Sequence, residues 1–339
     1  MNAPRLVSCY FGSGAAGQWP RLARVLELSA RRHCPEWQVD VRAIVPTRLS
    51  VPTLTAAYAQ NTQKLEWWAQ VIAAAPDGDR VALLDADTMV LASLDAVWEH
   101  PFDLAYTTRA EGHPFPINAG VIFVRVTEQS RAFMVSWRDE NRRMLVDSQR
   151  HNTWRKKFGG INQAALGCLL PQADHLASLC ALPCAEWNCE DSTWETFTPG
   201  ATRIVHIKSH LRRAIFLGVA GSGSLARLVT LWREREREAL ADLRSPGRHQ
   251  VMTARQEEAV QPSAQNGAPI APPPIPTPRP HLQARPFPMR RRGRPRGPGT
   301  IATNVRIPQS TYDAYCRRAT AADKPLATVL REALVSKAL

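Results

Sequence analysis

Three features of the sequence predict an α/β fold. Between residue 5 and about residue 243, short β-branched apolar runs alternate with longer segments of helical periodicity. Turns rich in glycine, proline and aspartate punctuate those segments, and one apolar run ends in two carboxylates, as strands do at a ligand-binding sheet edge. With 339 residues the chain has room for two or three domains, at roughly 100 to 200 residues each, and for a sizeable core.

LVSCYF (6–11) reads as the first strand and is followed by the turn Gly12-Ser13-Gly14. Residues 19–33 place Leu22, Val25, Leu26 and Ser29 at helical spacing, and 37–45 (WQVDVRAIV) alternate as a second strand. A helix around 63–75 leads through Pro76-Asp77-Gly78-Asp79 into a strand, RVALLDADTMV (80–90). LWREREREALADL (231–243) reads as a charge-rich helix that caps this body.

Composition changes abruptly after that helix. The chain carries 43 Lys and Arg against 30 Asp and Glu, and the stretch from Arg244 to the C terminus holds 16 of those bases but only 5 of the acids. The positive excess therefore belongs to the tail, where a polyanionic partner is expected. Twelve prolines fall within 262–298, and 279–296 carries seven arginines without an acid. This predicts three parts: an α/β domain over 1–243, a disordered Pro/Arg-rich linker over 244–299, and a small ordered module over 300–339. The opening residues lack the apolar core of a leader peptide, and no run approaches the ~18 apolar residues of a membrane span, so a soluble, cytoplasmic protein is expected. The seven cysteines are an odd number scattered through apolar segments. Reduced thiols engaged in packing are expected, since Cys180, Cys184 and Cys189 lack the paired spacing of a structural zinc site.

Asp85 and Asp87 are the most informative residues of the body. At positions i and i+2 of a strand their carboxylates leave one face at the carboxyl edge of the sheet. Two hard oxygen ligands so placed can hold a divalent ion, which can bridge a nucleotide diphosphate and neutralise its charge as a leaving group.

The flanking segments carry a family resemblance. LLDADTMVLASLDAVWE (83–99) resembles the metal-binding strand and following element of GT-A glycosyltransferases, notably the glycogenin-like retaining family that uses nucleotide sugars. INAGVIF (117–123) is similar to that family's donor-sugar motif, and Lys64 in NTQKL (61–65) to its lysine in the helix before the acidic pair. GGINQ (159–163) stands where the family has an Asp-Gln pair, and VHIK (205–208) resembles its late metal-site histidine.

The resemblance implies a mixed sheet flanked by helices, a Mn²⁺ or Mg²⁺ ion, and a nucleotide-sugar donor, preferentially a UDP-sugar. In it Asp85, Asp87 and His206 ligate the metal. Asp85, Lys64, Lys208 and Arg212 meet the nucleotide or its phosphates, and Asn118, Ala119 and Gly120 meet the sugar. Tyr10 stacks on the base beside Gly12, whose lack of a side chain admits the backbone. The family's acid is replaced by Asn162, so Asn162 and Gln163 are expected to orient sugar hydroxyls and acceptor, with the departing phosphate taking the acceptor proton. An inverting reaction would instead need a carboxylate such as Glu186, Glu190 or Asp191.

In the tail, RRRGRPRGP (290–298) resembles an AT-hook. Arg292, Gly293, Arg294, Pro295 and Arg296 form a thin extended core suited to a narrow minor groove. IATNVRIP (301–308) with two following helical patterns resembles a ribbon-helix-helix module, in which Asn304 and Arg306 face DNA and residues 300–339 form a homodimer. The leading expectation is a sugar transferase held on DNA, with a modified base as acceptor. The alternatives are a transferase acting on a saccharide or protein, and a DNA-binding regulator that senses a nucleotide sugar.

Overall fold

The computed structural model describes residues 2–12, 17–46, 56–171, 177–218 and 222–244, together with Tyr315. The expected AT-hook residues Arg292, Gly293, Arg294, Pro295 and Arg296, and Asn304 and Arg306 of the 300–339 module, lie outside the described residues.

Six strands form one mixed sheet. β1 (Arg5–Phe11) runs parallel to β2 (Gln38–Ile44) on one side and to β3 (Arg80–Asp85) on the other. β3 pairs antiparallel with β6 (Ile117–Arg125), β6 antiparallel with β5 (Leu104–Thr108), and β5 parallel with β7 (Leu179–Pro183). A separate antiparallel pair joins β4 (Thr88–Val90) to β8 (Ile204–His206).

Alternation along the central strands supplies apolar side chains to both faces. Val7, Leu83, Ile122 and Val124 face one core, and Leu6, Ala82, Leu84, Val121 and Phe123 face the other. The first core is covered by α2 (Ala56–Ala74), α3 (Glu128–Val146) and α5 (Ile161–Leu169), with α4 (Ser148–Phe158) packed on α5. Trp68 and Trp137, both fully buried, meet there at a ring separation of 6.5 Å. The second face is covered by α1 (Gln18–His33), whose buried stripe Leu22, Val25, Leu26 and Ser29 is the predicted one.

Two expectations are corrected. α2 begins at Ala56, ahead of the expected start at 63, because Ala56, Ala57 and Ala59 favour helix without contributing an apolar stripe. The single strand expected over 80–90 is broken by a turn at Ala86-Asp87, closed by a Thr88 hydroxyl that donates to the Asp85 carbonyl at 2.7 Å. β4 then leaves the large sheet for β8. Asp85 and Asp87 therefore converge through a turn, not as i and i+2 neighbours on one strand face.

The remaining described helices are α6 (Cys184–Trp187), α7 (Ser209–Leu217) and α8 (Gly223–Arg244). α8 contains the expected charge-rich segment. Its acids reach α1 through Arg21–Glu236 and Arg24–Asp242, both 2.6 Å, and Arg32–Glu238 at 2.8 Å. Met89, Val205, Leu211, Leu228 and Trp232 fill a third core between α1, β4, β8 and these helices. Cys9, Cys34, Cys168, Cys180, Cys184 and Cys189 are free thiols. Among the described residues no helix is long and apolar enough to cross a membrane.

Candidate active site

Asp85 is the last residue of β3, and Asp87 follows it through the turn. His206 ends β8, opposite Thr88 in the β4–β8 register. The Ile207 amide donates to the Asp87 carbonyl at 2.6 Å, locking the histidine strand beside the acidic turn. The cluster is thus assembled by a long-range strand pairing.

The geometry inside the cluster is directional. Lys64 donates to Oδ1 of Asp85, and Arg212 donates to Oδ2 of Asp87. The other carboxylate oxygens face the histidine: Asp87 Oδ1 lies 3.2 Å and Asp85 Oδ2 3.7 Å from His206 Nε2. One ligating atom from each of the three residues falls within 4.8 Å of the others. Two carboxylate oxygens and an imidazole nitrogen are a donor set that suits Mn²⁺ or Mg²⁺, so the residues fit such an ion. Burial would raise the Asp87 pKa, but His206, Arg212 and Lys208 outweigh it and hold the carboxyl well below the usual range.

Gly120, on β6, lies against this cluster and admits the His206 ring only because it has no side chain. Two residues earlier, Asn118 is almost completely buried. Its Oδ1 accepts from the Gly120 amide at 3.0 Å, while Nδ2 has no hydrogen-bond partner among the described residues. An unsatisfied buried amide beside a cleft is an available donor for a ligand oxygen.

The cluster lies in a cleft of ≈ 280 Å³ whose lining includes Tyr10, Trp19, Lys64, Asn118, Gln163 and Lys208. Tyr10 is at the end of β1, half-buried, and burial raises its phenol pKa. Gly12 has φ +141°, and among the described residues nothing crowds a side chain built on its α-carbon. Arg212 also stacks on Trp19, its guanidinium carbon 4.7 Å from the ring centroid.

Sequence reasoning missed the ion pairs that hold Lys208. Lys208 Nζ lies 3.2 Å from Glu190, and Glu190 accepts from Arg109 Nε at 2.6 Å. Arg109 also donates to the carbonyls of Phe115 and Ile117, tying down the loop that enters β6. Burial would raise the Glu190 pKa, but the hydrogen bonds from Arg109 and Ser192 and the charge of Lys208 bring it down to about 2. Glu190 is thereby a fixed anion. The visible signal was three acids, Glu186, Glu190 and Asp191, in the Trp-bearing stretch 184–194, and spacing could not tell which of them meets Arg109 and Lys208.

Asn162 and Gln163 differ in placement. The Asn162 amide is spent within the protein: Oδ1 accepts from Asn141 Nδ2 at 2.8 Å, and Nδ2 donates to the Asn61 carbonyl at 2.9 Å. Asn162 thus ties α5 to α2 and α3. Gln163 lines the cleft, its Nε2 donating to the Phe158 carbonyl at 2.6 Å.

The chain matches no protein-family model and no curated protein. Among solved structures it is similar to a glycosyltransferase involved in the glycosylation of the major capsid of PBCV-1, at 12% identity over 70% of this chain and 99% of that one, with a TM-score of 0.43. It is also similar to the glycosyltransferase GlyE of Streptococcus pneumoniae TIGR4, at 14% identity over 70% of this chain and 60% of that one, TM-score 0.46. A third is the galactosyltransferase LgtC, at 14% identity over 68% of this chain and 99% of that one, TM-score 0.42. The reading of the site rests on the geometry above.

Proposed function

We propose that the chain is a metal-dependent glycosyltransferase that moves a sugar from a UDP-sugar to an acceptor hydroxyl with retention of configuration. The observation that carries this reading is the convergence of Asp85 Oδ2, Asp87 Oδ1 and His206 Nε2 in a cleft that also presents an unpartnered Asn118 amide. Asp85, Asp87 and His206 hold Mn²⁺ or Mg²⁺, which when bound supplies positive charge for a departing diphosphate.

The protein's own residues do the rest. Lys64, Lys208 and Arg212 complement the phosphate charge, and Tyr10 stacks on the base next to the open backbone of Gly12. Asn118 Nδ2 donates to the sugar, with Ala119 and Gly120 forming the backbone beside it. Gln163 positions the acceptor side of the cleft, and Asn162 fixes the helix that carries it. Retention is supported by the placement of acids. Asp85 and Asp87 are the described carboxylates lining the cleft and both are held by cations, whereas Glu186, Glu190 and Asp191 are not in that lining. With no free base among the described lining residues, the acceptor proton passes to the leaving phosphate on the same face.

The acceptor assigned here is a hydroxyl on a modified DNA base, on the strength of the tail sequence alone. Arg292–Arg296, Asn304 and Arg306 would hold DNA, a dimer over 300–339 would double the grip, and tethering would raise the local acceptor concentration. A duplex base must be extruded to reach the donor.

The test is turnover and binding of a panel of nucleotide sugars with and without Mn²⁺, in the wild type and Asp87→Asn. Metal-dependent consumption of one donor, lost in the variant, is expected. If no donor binds or turns over, the transferase reading fails. Transfer to hydroxymethylated DNA, weakened in Arg294→Ala and Arg306→Ala, then tests the acceptor.

A further inference from the structure

His206 is useful as a metal ligand only if Nε2, the nitrogen facing both carboxylates, bears a lone pair. In a neutral imidazole the proton sits on one nitrogen or the other, and the partner of Nδ1 decides which. That partner is Asn188 Oδ1, 3.0 Å away. An amide can present either its oxygen or its NH₂, so Asn188 alone fixes nothing.

The choice is made further out. Asn188 Nδ2 donates to Thr107 Oγ1 at 2.8 Å, and the Thr107 hydroxyl donates to the main-chain carbonyl of Asn118 at 2.7 Å. A carbonyl oxygen can only accept, so the single Thr107 proton is committed to Asn118. Thr107 Oγ1 must then accept from Asn188, which requires the NH₂ end there and the oxygen end at His206. Asn188 Oδ1 accepts from Nδ1–H, which leaves Nε2, 3.2 Å from Asp87, as the nitrogen on which a metal at Asp85 and Asp87 would replace a proton. Asn188 and Thr107 are fully buried and His206 nearly so, which keeps water from substituting for any link.

We infer that Thr107 and Asn188 are positioning residues that hold His206 in its metal-ligating tautomer, anchored on the Asn118 backbone. This rests on the reading of Asp85, Asp87 and His206 as a metal site, yet the tautomer itself can be read without any metal.

The experiment uses the full chain labelled with ¹⁵N-histidine, with the His206 signals assigned by their loss in His206→Gln. Long-range ¹H–¹⁵N spectra of metal-free protein report the tautomer, and the free Mn²⁺ paramagnetic resonance signal reports affinity. The wild type is expected to carry a proton on Nδ1, with or without a second proton on Nε2 shared with Asp87. Thr107→Val deletes the directing proton with little change of shape. It should introduce the Nε2–H form and weaken Mn²⁺ binding about 10- to 100-fold, while Thr107→Ser stays within about twofold of wild type. A wild-type ring protonated on Nε2 with a bare Nδ1 overturns the inference, as does a Thr107→Val protein with wild-type tautomer and affinity. If Thr107→Val does not fold, the wild-type tautomer and the Thr107→Ser comparison decide. A wild type that shows the Nδ1–H ring, with the Nε2–H form in Thr107→Val, but binds no Mn²⁺ upholds the relay and refutes the metal site, so the two failures are distinguishable.

Discussion

Gly120 and His206 pack so closely that a methyl group on the Gly120 α-carbon would lie 2.4 Å from His206 Cε1 and 2.9 Å from Asp85 Oδ2. The ring cannot retreat freely, because Asn188 holds its Nδ1 and the Cys189 carbonyl accepts from its amide at 2.7 Å. Gly120→Ala is therefore expected to cost about 1–3 kcal/mol of stability through overpacking. It should also weaken Mn²⁺ binding by at least about tenfold, by moving a ligand. Thermal unfolding and a Mn²⁺ titration check the two effects separately.

Asn118→Ala removes the unpartnered Nδ2 and leaves the main-chain carbonyl that anchors Thr107 in place. The expected result is a rise of about tenfold in KM for the sugar donor, the worth of one good hydrogen bond, with Mn²⁺ affinity changed much less. Steady-state kinetics beside a metal titration would show the split, and equal losses in both would place Asn118 in the metal site instead.

Asn162→Asp installs the acid found in the family that the sequence resembles. The carboxylate would keep its bond from Asn141 but turn an oxygen towards the Asn61 carbonyl, where an N–H now donates. A loss of about 1–3 kcal/mol in stability is expected, from a buried acceptor left without a donor, with no gain in turnover. Urea unfolding and a transfer assay test this, and faster transfer would restore Asn162 to the reacting centre.

Glu190 makes acid sensitivity predictable. Its folded pKa is about 2, below the unfolded value of about 4.3, so its contribution is fully present above the unfolded value and is lost as pH falls between the two. Glu190→Gln is expected to lower stability near neutral pH by a few kcal/mol, since Arg109 would be left buried without its counter-charge. It should also flatten the decline between about pH 4.3 and 2. Denaturation midpoints across pH would reveal it, and parallel curves for wild type and variant would contradict it.

Local pattern made the outer parts of this architecture legible. β1 follows from a short apolar run buried on both faces, α1 from the stripe Leu22, Val25, Leu26 and Ser29, and β2 from alternation. Asp85 and Asp87 were legible as a pair because the flanking segments 61–65, 117–123 and 205–208 resemble the same family's site in the same order. The turn between them was not, because it depends on β4 finding β8. Nor were Thr107, Asn188, Arg109 and Glu190, whose partners are 81 residues apart in both pairs. Polar residues inside the apolar segments LAYTT and CAEWNC were the available signal, but only strand register tells which polar residue meets which. Nothing in the described residues bears on the AT-hook-like and ribbon-helix-helix-like readings of the tail.

The pairing of β4 with β8 gives the site an order of assembly during synthesis. Asp85 and Asp87 emerge early, whereas His206 emerges only after β5, β6, β7 and the helices α3 to α6. A nascent chain that ends before Ile204–His206 can complete neither the ribbon nor the three-residue ligand set. Capture of an ion would therefore mark the closure of the β4–β8 ribbon, and its binding energy would be added to that late, long-range pairing.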